Sequence, residues 1–156
     1  MTMKSFASLA FALGLAVSVV AKPLASVPKF DGKFLWVKLG AVPADSLKTL
    51  ANANSFAIDV TFSRTVRVNK DKGGNAWFSF IVADQGGDWK WHQTAGNGGI
   101  PVSGGTIKAG RYTVLVPVGG IPRDVLKGKQ QAISVGPASS GLTGTASFTI
   151  DGIRGK

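Results

Sequence analysis

The sequence predicts an all-β fold, a sandwich or barrel of seven or eight short strands, on three observations. Phe56, Ile58, Val60 and Phe62 alternate with Ala57, Asp59, Thr61 and Ser63, the period-two pattern of a strand with one buried face. Runs rich in β-branched and aromatic residues recur along the chain, separated by clusters of Gly, Pro, Asn and Asp. No segment sustains the 3.6-residue period of a long helix, and no internal repeat is visible.

Taken in order, Met1 to Ala21 reads as an export leader. Lys4 precedes an unbroken apolar and small-residue run from Phe6 to Val20, and Val19-Val20-Ala21 puts small residues where a signal peptidase cuts, so cleavage is expected after Ala21. A membrane anchor fits less well, because the run is shorter than the roughly 20 residues a span needs and Lys22-Pro23 ends it. The remainder, 22–156, is long enough for one domain with a proper core and too short for two. Lys22 to Lys33 reads as an extended lead-in, and Phe34 to Leu39 as the first strand. Ala44 to Asn52 is the one place for a helical turn, with Asp45 as its cap. The alternating strand at Phe56–Phe62 follows, continued past a bulge by Thr65 to Val68, and Asn69 to Asn75 is a polar turn.

Ala76 to Gln93 organises the rest. A strand from Ala76 to Ala83, turn chemistry at Gln85-Gly86-Gly87-Asp88 and a second strand from Trp89 to Gln93 predict a hairpin. Phe78, Phe80 and Val82 point one way, and Trp77, Ser79 and Ile81 the other. Thr94 to Gly110, crowded with glycine, is expected to be loop; it lacks the spacing of a phosphate-binding motif. Arg111 to Val118 resumes strand, with Tyr112, Val114 and Val116 on the core side. Pro117 and Pro122 fence off a turn before Asp124-Val125-Leu126. Gln130 to Val135 and Thr145 to Ile153 are two further strands, with a turn-rich Gly136 to Gly144 between them.

Composition narrows the chemistry. There is no cysteine, so neither a disulfide nor a thiol nucleophile is available. All 8 acidic residues are Asp, which excludes mechanisms built on paired glutamates. The chain carries 18 basic residues and a formal charge of +10; removal of the leader takes away Lys4 and no acid, leaving 17 minus 8, or +9. That excess favours anionic neighbours, among them acidic or wall-associated polysaccharide. The basic residues are scattered, with no run of five, so solubility alone is the competing explanation, and no nucleic-acid partner is expected.

The segments Gly110-Arg111-Tyr112-Thr113-Val114-Leu115-Val116-Pro117, Leu126 to Val135, and Ser147-Phe148-Thr149-Ile150-Asp151-Gly152-Ile153-Arg154 together resemble the non-catalytic carbohydrate-binding modules of jelly-roll, galactose-binding-like architecture. The resemblance runs from about Phe30 to Arg154. Two positions depart from it: Gly152 stands where the family usually has Asn, and Gln130 to Val135 lacks a Trp often found there. It implies two antiparallel sheets in a sandwich and a glycan ligand on a sheet face or its adjoining loops. It also implies one structural calcium ion where first and last strands meet, with Asp151 and Asp31 as ligands completed by carbonyls and water.

Aromatic faces suit sugars because the C–H groups on a pyranose face are apolar, while nearby polar side chains bond its hydroxyls. Trp77, Trp89 and Trp91 are the candidate faces, and Asp59, Gln93 and Arg111 the candidate polar partners. The same Trp spacing also fills a core. Trp36 is expected on the opposite face, covering the other sheet. His92 is the only histidine and reads as structural. Two further readings stay open. A small jelly-roll polysaccharide lyase would use Tyr112, His92, Arg111 and Gln93; a structural or adhesive surface protein would have no small ligand and would bury every Trp.

Overall fold

The computed structural model describes residues 22–27, 35–38, 42–68, 76–84, 90–127, 130–137, 142 and 146–156. The leader at Met1 to Ala21, the turns at Asn69 to Asn75 and Gln85 to Asp88, and the candidates Asp31 and Trp89 lie outside them.

Antiparallel strands dominate. The first sheet has the order β1 (Ala25–Val27), β11 (Phe148–Gly155), β3 (Ser55–Phe62) and β9 (Gly110–Pro117). The second runs β2 (Leu35–Lys38), β10 (Gln130–Pro137), β5 (Ala76–Asp84), with β6 (Trp91–Gln93) and β7 (Gly98–Ile100) both on the remaining edge of β5. A separate ribbon pairs β4 (Val66–Arg67) with β8 (Thr106–Ile107). Two short helices, α1 (Ala44–Leu50) and α2 (Arg123–Lys127), fill connections. The expected hairpin is present: Ile81 pairs with Gln93 and Ala83 with Trp91.

The two larger sheets share one core. Phe56 of β3 stacks on Phe80 of β5 with centroids 4.0 Å apart, and Phe78 of β5 meets the edge of Phe148 of β11 at 6.1 Å. These rings, with Ile58, Val60, Phe62, Val82, Val114, Val116, Ile150 and Ile153, form the buried cluster. With no disulfide to help, their removal from water is the main stabilising term, about 1.5–3 kcal/mol for each large side chain.

Four expectations need correction. The lead-in contains β1, whose Ala25 pairs with Ile150; three residues are too few to show a period, so only the partner strand defines them. Asp45 does not cap α1. Pro43 occupies the N-cap with φ −54° and ψ 140° and no side-chain cap, while Asp45 sits in the first turn and pairs with Lys48 at 3.4 Å. Residues 66–67 do not continue β3 but leave it to pair with β8. Thr94 to Gly110 is not all loop. β7 was hidden because Gly98 carries no side chain to show alternation: an alanine there would collide with Val114 and the Leu115 carbonyl of β9, so this crossing requires Gly. Between β6 and β7, Thr94 bridges the gap, its N–H donating to Phe80 O at 3.1 Å and its Oγ1 accepting from Phe80 N–H at 3.3 Å. The side chain of Trp36, expected on the opposite face, lies outside the described residues.

Candidate functional site

The outward side of the second sheet is set by the parity of β5. Phe78, Phe80 and Val82 enter the core, so Trp77, Ser79, Ile81 and Ala83 turn away from it. Directly paired residues share a side, which adds Gln93 opposite Ile81 and Trp91 opposite Ala83. Trp77 is 36% exposed and Trp91 59% exposed, whereas Ser79, Ile81 and Ala83 between them are buried. Gln93 and Lys90 are exposed. Six residues of strand separate the Trp77 and Trp91 positions, about 20 Å.

The floor beneath Trp77 is Gly99, its partner on β7. A Cβ there would stand 3.9 Å from the indole Cζ3, so the ring lies over a residue that offers it no side chain. Covering a strand glycine with an aromatic ring shields the ladder there. The result is one exposed indole towards each end of this side of β5, an amide beside the second, and Ser79, Ile81 and Ala83 buried between them.

Asp59 and Arg111, predicted beside the tryptophans, lie instead on the outward side of the first sheet. Asp59 is 5% exposed because other side chains cover it. Its Oδ1 accepts from Thr113 Oγ1 at 2.6 Å, and its Oδ2 from Arg111 Nη2 at 3.2 Å and from Arg154 Nη1. Burial by itself would raise this carboxyl. The Thr113 hydroxyl, the Arg154 guanidinium and the field of Arg111 outweigh that effect and hold Asp59 below the ordinary carboxylate value. Gly152 makes room for the group, since a Cβ there would stand 3.2 Å from Asp59 Oδ2.

Arg154 and Thr113 were not among the sequence candidates. Arg154 was obscured by a β-bulge: the register between β11 and β3 shifts between Ile150 and Gly152, so Ile150 and Ile153 both enter the core although three residues apart. That spacing is the one trace of the bulge in the sequence, and it turns Arg154 outward. Asp151, the bulged residue, accepts from Thr61 Oγ1 and, at 2.8 Å, from Thr149 Oγ1. No group of three or more His, Cys, Asp or Glu side chains suited to a metal occurs among the described residues.

The four side chains that the lyase reading requires are divided. Arg111 and Tyr112 are successive on β9 and face opposite ways; the Tyr112 hydroxyl donates to Lys108 O at 2.9 Å and its ring meets Phe62 edge-on. His92 and Gln93 are on β6 of the other sheet, with His92 half-buried in register with Val82. Comparison with known proteins found no matching family model, no matching curated protein and no matching solved structure.

Proposed function

We propose that this is an exported, non-catalytic jelly-roll protein that binds polysaccharide along the outward side of its second sheet. The strand order supports the architecture. With β6 and β7 counted as one interrupted strand and the β4–β8 ribbon set aside, eight strands remain among the described residues. The first, eighth, third and sixth form one sheet, and the second, seventh, fourth and fifth the other. Rolling two Greek keys into facing sheets gives this alternation.

The observation that carries the binding proposal is the pair of exposed indoles on one side of the sheet, about 20 Å apart. That span suits an extended polymer rather than one small sugar. Each indole offers an apolar face to a pyranose ring, Gln93 a donor and an acceptor to its hydroxyls, and the formal charge of +9 left after removal of the leader draws in an anionic chain. Loss of one stacking face is expected to cost about 1–2 kcal/mol, roughly 5–30-fold in Kd.

The test is intrinsic fluorescence during titration with neutral and acidic glycans, on the parent and on Trp77→Ala, Trp89→Ala and Trp91→Ala. A spectral change in the parent that disappears in folded Trp91→Ala or Trp77→Ala supports the site. Saturable binding of equal strength in all three variants removes its basis.

A further inference from the structure

We propose that the outward side of the first sheet is a second binding surface, for a polymer bearing uronate carboxylates. Among the described residues, three exposed cations lie across it. Arg111 on β9 pairs with Thr61, and Arg154 on β11 pairs with Ala57. Lys156 exchanges both backbone hydrogen bonds with Ser55, at 2.8 and 2.9 Å. Because strand side chains alternate, Arg154 and Lys156 share a side with Arg111. The track runs diagonally over three strands and six residues of β3, about 20 Å long and about 10 Å wide.

Two features make it more than a solvated face. Asp59 Oδ2 accepts from both guanidinium groups, which therefore stand within about 6 Å of each other across one oxygen. Their side chains remain 65% and 45% exposed. Each guanidinium has five N–H donors and commits one nitrogen to Asp59. One guanidinium balances the Asp59 charge, so the second arginine brings positive charge beyond what that carboxylate neutralises. Asp151 has both oxygens engaged by Thr61 and Thr149, leaving, among the described residues, three cations against two carboxylates that are already hydrogen-bonded.

A planar carboxylate accepting two parallel N–H bonds matches a guanidinium fork, and carboxylates repeated along an extended chain match a linear cation track. This surface is on a different sheet from the indoles and does not rest on them.

Calorimetric titration of the full chain with polygalacturonate tests it, with a neutral glucan as control. Arg111→Gln and Arg154→Gln each leave Asp59 one guanidinium, so folding should persist while affinity falls about tenfold, and further in the double variant. Arg111→Lys and Arg154→Lys keep Asp59 paired but remove the fork, and should still weaken binding at least about threefold. The arginine effects should persist in a Trp91→Ala background. The proposal is overturned if the parent does not bind polygalacturonate, if the Lys variants bind as well as the parent, or if a single-stranded oligonucleotide displaces the polymer with equal or greater affinity. Loss on Trp91→Ala alone would overturn it too, while leaving the indole site standing.

Discussion

Asp59→Asn separates the charge of the first sheet's central carboxylate from its shape. In the parent, Asp59 is almost wholly covered and accepts hydrogen bonds from Thr113, Arg111 and Arg154. A hydrogen bond to a charged group contributes about 1.5–3 kcal/mol when buried, but the two guanidiniums are half-exposed and recover water when released, so the net loss should be about 2 kcal/mol. For a chain of this size that is a fall in Tm of about 4–8 °C at pH 7. The pH dependence follows from the direction of the shift. Asp59 is held below its ordinary, unfolded value, so its contribution is present above that value and lost as pH falls through the lower folded one. Thermal unfolding by circular dichroism should therefore show the gap between parent and variant intact at pH 7 and narrowing steadily below about pH 4. An equal gap at pH 7 and pH 2.5, or none at pH 7, would refute the assignment of this carboxylate as an ion-paired anchor.

Other substitutions test the packing. Phe80→Ala removes the ring stacked on Phe56 and should cost about 3–5 kcal/mol in denaturant unfolding, whereas Trp91→Ala, 59% exposed, should cost less than about 1 kcal/mol. Gly98→Ala should destabilise by about 1–3 kcal/mol, because the added methyl meets β9; a neutral result would mean that β7 does not cross there. Ser79 Oγ is buried without a hydrogen-bond partner among the described residues, so Ser79→Ala should leave Tm unchanged or raise it by a few degrees. A loss of several degrees would reveal a partner for that hydroxyl.

What the sequence determined by itself was the set of strands whose side chains alternate. Phe56 to Phe62 and Arg111 to Val118 declare their buried sides because burial of one face imposes a period of two on the residues themselves. The absence of cysteine and the excess of basic residues were equally plain. Tertiary structure decided the rest. β1 and β7 are too short or too glycine-rich to carry a period and are strands only because Ile150 and Ala76 are there to pair with them. Asp59 meets Arg111 and Arg154 from 52 and 95 residues away, the second only because a bulge switches the side of the sheet that the later β11 side chains face. Whether an indole is core or surface is also undecidable locally, since the same spacing serves both. Trp77 and Trp91 reach solvent because they stand on the side of β5 turned away from the first sheet, and that side is chosen only when Phe78 and Phe80 find Phe148 and Phe56 across the core.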